Sequence, residues 1–239
     1  MPSPADAAPS YVWAAAIPAA GSRLPLDQQE SHYLTKVCRA RAGEGVTLTD
    51  GRGTRAHAIV IQLGEPVTLE IGEVERSARE RAATWLVGSP ERGRADWMVE
   101  KLAELGVDVF QPIDTERARW LSSEVRLERW GRLARAALRQ SRRCHELVVH
   151  PPRELAEAMT LPEEAGERYL ADPAGTRAGR LVPKVTGRTV GLVGPAEGFS
   201  TGERDQLMSA GVVPISLSDG RLRTETAAIV MAGWWSGGA

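Results

Sequence analysis

Little in this chain supports cross-linking or metal binding. Its 239 residues include two cysteines, Cys38 and Cys144, far apart and outside any CxxC pair. A disulfide framework or a zinc site is therefore not expected. The four histidines, His32, His57, His145 and His150, show no ligand spacing and read as structural or surface residues. No apolar run is long enough to span a bilayer. Met1 to Pro9 lacks the basic start and apolar core of a signal peptide and reads as a frayed tail. The expectation is a soluble cytoplasmic protein with no metal and no membrane partner. An excess of one charge is missing too. The formal net charge is -1, so nothing global demands a nucleic acid. Lysine is scarce: Lys36, Lys101 and Lys184 are the only lysines among 30 basic residues. Arginine suits phosphate and stacked bases better than lysine. A GC-rich genome raises arginine as well, so only local clustering speaks for function. Two nucleotide motifs are absent: no Lys follows a glycine loop as in a P-loop, and no GxGxxG opens the α/β part.

Hydrophobic residues make up 42% of the chain, enough to bury a core. The first third reads as short strands, Tyr11–Ile17, Val46–Thr49, Ala56–Gln62 and Val67–Val74, with a tight turn at Asp50-Gly51. One helix, capped by Asp27, sits among them. This pattern predicts a small β-barrel over residues 10–76. Glu75 to Arg81 is charged, without apolar pattern, and reads as a linker. From residue 80 to 239 strands alternate with helices, which predicts an α/β domain with a mostly parallel sheet. Its strands are Thr84–Gly88, Val107–Pro112, Arg168–Ala171, Thr189–Val193 and Val212–Leu217. Its helices are Arg94–Leu105, stopped by Gly106, then Ser123–Glu146, Thr201–Ala210 and Glu225–Trp235. Trp97, Trp130, Trp234 and Trp235 fall in these helices as core or interface residues.

Three turns follow strand ends in the second part: Ala171-Asp172-Pro173, Gly194 to Ser200, and Leu217 to Ala227. Ligands of open α/β sheets bind outside the carboxyl ends of strands, so these turns are expected to build one pocket. Within the third, Thr224 reads as the cap of the last helix and Glu225 as an acid in its first turn. Arg223 is a cation beside a helix N-terminus and needs another partner, such as a phosphate, a carboxylate or a ligand. The long helix has an apolar stripe of Leu127, Trp130, Ala134, Ala137 and Leu138. On a largely opposite face it carries Arg132, Arg135, Arg139 and Arg142, with Arg143 nearby, a basic ridge suited to RNA phosphates.

The order of segments resembles the RsmE family of the SPOUT superfamily. His32 to Arg39 followed by Gly43 is similar to H-x-x-x-x-V-L-R…G. Lys101 to Val107, then Pro112 and Glu116-Arg117, resembles K-x-x-E-L-G-V…P…E-R. Ala136-Ala137, Gln140 and Arg143 match A-A-x-x-Q-x-x-R. Gly194-Pro195 with Gly198-Phe199-Ser200 and Glu203 resembles G-P-E-G-G-F-S-x-x-E. Leu222 to Ala227 reproduces L-R-T-E-T-A. Three departures stand out. The glycine loop reads Gly194-Pro195-Ala196-Glu197-Gly198, Leu217-Ser218-Asp219-Gly220 replaces L-G-x-R, and Pro9-Ser10-Tyr11 replaces P-R-F/Y.

The resemblance implies a PUA-like β-barrel joined to a SPOUT domain with a trefoil-knotted C-terminal segment. It implies a homodimer that methylates N3 of a uridine in 16S rRNA of the small ribosomal subunit. S-adenosyl-L-methionine would be held by Leu170, Ala171 and Asp172, by Gly194, Pro195, Glu197 and Gly198, and by Leu217, Ser218, Gly220, Leu222, Thr224 and Thr226. Arg223 would stabilise negative charge, and Glu225 would accept a proton or orient Arg223. Arg39 and the arginines of the long helix would contact RNA. Two other readings stay open here: methylation of another RNA position, and a catalytically silent RNA-binding assembly factor.

Overall fold

The computed structural model describes residues 9–79, 81–91, 93–121, 124–160, 165–183 and 187–237. The expected tail, apart from Pro9, lies outside these residues, as does the expected helix start at Ser123. The chain forms two units. One comprises Met1–Arg79 with Leu138–His145, the other Glu80–Ala137 with Glu146–Ala239.

The first unit is a five-stranded mixed sheet with one short helical segment. Strands β1 (Ser10–Trp13), β2 (Arg23–Pro25), β3 (Gly45–Thr49), β4 (Thr54–Gln62) and β5 (Thr68–Arg76) lie in the order β1-β3-β4-β5-β2. Only the β1–β3 pair is parallel. Alternation sets the faces: Ala56, Ala58 and Val60 are buried, while Ile59 and Ile61 between them point outward. The buried set joins Val12, Leu34, Val46, Leu48, Leu69 and Ile71 in one core. At the Asp50-Gly51 turn, Asp50 Oδ1 accepts from the backbone N–H of Arg52 at 2.7 Å and of Thr54 at 3.0 Å. Asp27 caps α1 (Gln28–His32) as expected, accepting from the N–H of Glu30 at 2.8 Å. A π-helical turn, Tyr33–Val37, follows and ends near Arg39, which is exposed with φ 54°.

Two sequence expectations fail in this region for identifiable reasons. β2 was missed because three residues with two exposed side chains carry no hydrophobic pattern. Glu75 and Arg76 belong to β5 rather than to a linker, paired opposite Arg55 and Thr54. Arg81 already opens β6. A strand exposed on both faces looks like a charged connector.

The second unit is a parallel sheet covered on both faces. Its strands are β6 (Arg81–Val87), β7 (Val109–Asp114), β8 (Val148–Val149), β9 (Arg153–Glu154), β10 (Ala165–Arg177), β11 (Gly187–Val193) and β12 (Val213–Ser216). The order is β12-β10-β11-β6-β7-β8, with β9 on β7, and every pair is parallel. Neighbouring residues of β6 serve different layers. Trp85 and Val87 enter a cluster with Phe110, Trp120, Trp130 and Met231. Leu86 enters another with Ile113, Leu192 and Leu207. Burial on both faces is what a parallel sheet requires. Helices α2 (Ala95–Leu105) and α6 (Thr224–Ser236) contribute to the first layer, as does α3 (Glu124–Ser141). Helices α4 (Leu155–Met159) and α5 (Thr201–Ser209) contribute to the second. Trp130 and Trp235 are buried, while Trp97 stays 48% exposed.

Helices α2 and α3 end alike. After α2, Gly106 N–H donates to Ala103 and Val107 N–H to Leu102, a Schellman ending with Gly106 at φ 83°. The long helix stops the same way, five residues before the expected Glu146. Arg142 and Arg143 donate to Arg139 and Leu138, with Arg142 itself at φ 55°. No glycine announced this stop, so periodicity carried the expected helix too far. The expected turn at Ala171-Asp172-Pro173 exists, but as an excursion within β10. The pairing with β12 breaks between Ala171 and Thr176 and resumes up to Arg177.

Candidate active site

One cavity opens at the carboxyl ends of four neighbouring parallel strands, β12, β10, β11 and β6. Its volume is about 660 Å³, within the range of sites that enclose a small molecule. From β10 come Leu170, Ala171, Asp172 and Pro173. From the loop after β11 come Gly194, Pro195, Ala196, Gly198 and Phe199. From the loop after β12 come Leu217, Ser218, Gly220, Arg221, Leu222 and Arg223, followed by Thr224, Glu225 and Ala227 at the start of α6. The loop after β6 adds Glu91, and α5 adds Arg204. The three expected turns therefore meet. Of the expected ligand-holding residues, Glu197 and Thr226 do not line the cavity. Sequence reasoning missed Glu91 and Arg204. The strand-end rule applied to β6 would have found Glu91.

Direct bonds tie the walls together. Thr224 Oγ1 donates to the carbonyl of Gly194 at 3.0 Å. This corrects its expected role. The N-cap of α6 is Arg223, and Thr224 is the first helical residue, its hydroxyl turned to the neighbouring loop. Arg221 donates to the carbonyl of Ala196 at 2.7 Å, and Arg117 donates to that of Glu197 at 2.9 Å. Ser200 and Glu203 form a reciprocal capping box at the start of α5. The other Glu203 oxygen accepts from the backbone N–H of Glu116 at 2.8 Å. Arg117 thus reaches the glycine loop, and Glu116 the start of the helix that follows it. Tight backbone packing completes the wall. A Cβ on Gly88 would sit 2.4 Å from the Pro195 nitrogen, and one on Gly194 would sit 3.2 Å from the Phe199 ring. Glycine lets these backbones approach.

The charged groups are arranged in pairs. Asp172 pairs with Arg204 at 2.8 Å. Arg223 pairs with Glu91, and both side chains are about half exposed. Glu225 is 1% exposed. Its Oε1 lies 3.3 Å from Nε of Arg94, yet among the described residues neither carboxylate oxygen accepts a hydrogen bond. The expected orientation of Arg223 by Glu225 is thus replaced by separate partners. Glu225 is one of the cavity's lining residues, and its two buried carboxylate oxygens have unused lone pairs.

The expected RNA-contacting residues fall into two groups. Arg132 is 54% exposed on its side chain and loosely paired with Glu128 at 3.9 Å. Arg142 and Arg39 are exposed. Arg135 bonds Glu146 at 3.0 Å. Arg139 is turned inward. Its side chain is 10% exposed, stacks over Tyr33 at 4.6 Å and pairs with the buried Glu30. Arg143 is half-buried, and burial lowers its pKa. The i, i+3 and i+4 spacing could not distinguish an outward arginine from one spent on an internal carboxylate. Among the described residues no group of three or more His, Cys, Asp or Glu is placed to hold a metal ion, and no helix is long and apolar enough to cross a membrane.

A parallel α/β sheet with its cavity at the strand ends is the architecture of an RNA methyltransferase domain, and the family model so described matches residues 78–236. A second model, an RNA methyltransferase PUA domain, matches residues 26–71. A Mycobacterium bovis ribosomal RNA small subunit methyltransferase E is 30% identical, covering 91% of this chain and 87% of the relative. One from Synechocystis is 28% identical over 87% of this chain and 70% of its own length. The chain belongs to the ribosomal RNA small subunit methyltransferase E family. Among solved structures, one of that enzyme from Neisseria gonorrhoeae, bound to S-adenosyl methionine, superposes with a TM-score of 0.83 at 27% identity, covering 95% of this chain and 96% of the other. A probable rRNA-methyltransferase from Porphyromonas gingivalis gives a TM-score of 0.80 at 25% identity, covering 94% and 96%.

Proposed function

We propose that this protein transfers a methyl group from S-adenosyl-L-methionine to N3 of a uridine in the small-subunit ribosomal RNA. One observation carries the reading: the two residues expected to do chemistry, Arg223 and Glu225, line the same cavity as the three strand-end turns. The cavity fits the cofactor. Its volume is sufficient, its backbones approach through glycine, and a buried carboxylate with unused acceptors lines it. Leu170, Ala171 and Asp172, the glycine loop and Leu217 to Thr224 would hold it. When bound, this group supplies a methyl already activated on a sulfonium.

The chain's own residues do the rest. Uracil N3 attacks only after losing its proton. Glu225 takes that proton, and Arg223, released from Glu91, offsets the negative charge that develops on the base. The apolar side chains of Leu170, Val193, Leu217 and Leu222 keep water from the transfer. The exposed arginines Arg39, Arg132 and Arg142 contact RNA phosphates.

The last segment is read as a trefoil knot, a reading supported by the bonds that tie Arg221 and Thr224 to the glycine loop. A homodimer is supported by apolar residues left outward on α2 and α6, Trp97 and Val230. The protein is taken to act in the cytoplasm, where small subunits assemble. Incubation with labelled cofactor and unmodified small subunits, then mapping of the modified base, tests the assignment. Label appearing on a position other than a uridine N3 would refute it. Sedimentation as a monomer would refute the dimer.

A further inference from the structure

Two helices in the second unit start with a cation where a helix least favours one. Arg94 is the N-cap of α2 and Arg223 the N-cap of α6, and neither side chain makes a capping hydrogen bond. Caps are usually short polar residues, and positive charge opposes the helix dipole at this end. Neither arginine is there for its helix. Each is held by an acid from the other helix start: Arg94 by Glu225, the second residue of α6, and Arg223 by Glu91, just ahead of α2. The loop between β6 and α2 therefore supplies both counter-ions of the proposed chemical pair.

The two pairs differ in kind. Arg223 and Glu91 are both about half exposed, so water screens their attraction and the pair is readily exchanged for substrate. Glu225 is 1% exposed, and Arg94 is its only cation among the described residues. Arg94 Nε stands 3.3 Å from Oε1 with its own side chain 47% exposed, and among the described residues neither buried carboxylate oxygen accepts a hydrogen bond. Arg94 does not line the cavity, whereas Glu225 does.

We infer that Arg94 is a positioning residue for the methyl transfer: its guanidinium, 3.3 Å from Oε1, holds the Glu225 side chain in place at the cavity wall while touching neither substrate itself. This rests on the reading of Glu225 as proton acceptor. A catalytic base that also accepted hydrogen bonds from its neighbours would have fewer lone pairs for the substrate proton. The Arg94–Glu225 pair carries no such bond and avoids that competition.

The test compares Arg94→Lys, Arg94→Gln, Arg94→Met and Glu225→Gln in the full chain, using labelled cofactor and unmodified small subunits. Arg94→Gln and Arg94→Met should lower kcat by about 100-fold, the range of a lost acid–base contribution. KM for the small subunit should change less than threefold, and calorimetric affinity for the cofactor should be unaltered. Arg94→Lys, which restores the charge, should recover at least a tenth of the lost turnover. Two neutral variants of different shape guard against a folding defect in either, checked by thermal melting. If Glu225→Gln is inactive while both neutral Arg94 variants turn over normally, the role of Arg94 is overturned and that of Glu225 stands. If Glu225→Gln turns over normally, both fall. Equal loss in the Lys and Gln variants would also overturn the inference, because charge would not be what matters.

Discussion

At the residue scale, the site depends on a few positions where one atom more or less decides the outcome. Gly194 faces the Phe199 ring at 3.2 Å from where a Cβ would stand, and its carbonyl takes the Thr224 hydroxyl. Gly194→Val should therefore push the glycine loop off the α6 start and weaken cofactor binding by at least tenfold, read by isothermal titration. Asp50, in the first unit, gives a pH-dependent counterpart. Burial raises its pKa, but the Arg52 and Thr54 hydrogen bonds and the Arg52 charge outweigh that, so the net shift is downward from 3.8. A carboxyl with a depressed folded-state pKa stabilises the fold above the ordinary value, and that stability is lost as pH falls through the folded one. Asp50→Asn should cost about 1–2 kcal/mol at neutral pH. The gap to the unmodified protein should close below 3.8 in urea melts. A gap that widens on acidification would contradict the assignment.

At the element scale, Glu203 shows how a helix start can organise a site. One carboxylate completes the α5 capping box and also accepts from the Glu116 backbone, which lies next to the arginine that bonds the glycine loop. Glu203→Ala removes both bonds from a buried position. It should destabilise the protein by about 2–3 kcal/mol in chemical denaturation. It should also raise the proteolytic sensitivity of the loop after β11. Most elements were legible in the sequence because their burial is periodic. β6 and β11, buried on both faces, read as apolar runs, and α2 shows its stripe and its glycine stop. What stayed hidden was set by tertiary partners. Thr224 has the right chemistry for a cap, but its hydroxyl is spent on Gly194, so the cap moved to Arg223. The end of α3 carries an arginine where the geometry favours glycine. The three cavity loops were recognisable from strand ends and glycines, and the same rule applied to β6 reaches Glu91, whereas the ion pair of Arg94 with Glu225 is set by tertiary packing.

At the scale of the whole molecule, charge distribution replaces net charge as the useful quantity. The formal balance is -1, yet exposed arginines remain on both units. Their RNA contacts are expected to be few, since Arg139 is committed to Glu30. Arg132→Ala should weaken binding to small-subunit RNA and flatten the log–log salt dependence by about 0.7–0.9 of a slope unit. Arg139→Ala should leave that slope alone and instead destabilise the first unit by about 3–5 kcal/mol, because it strands a buried carboxylate. Equal slope changes in the two variants, measured by filter binding, would mean that Arg139 also reaches the RNA.

The cavity's lining runs from Glu91 to Ala227, and its last wall is the stretch beginning at Leu217. During synthesis this wall emerges after the other lining segments. A nascent chain halted after Ser216 holds β12 but lacks Arg223, Glu225 and the hydroxyl that clasps Gly194. Such a chain has no complete pocket and lacks the pair proposed to do the chemistry. The cavity therefore comes into being only after this stretch has been made, and no nascent chain halted before it can enclose a small molecule there.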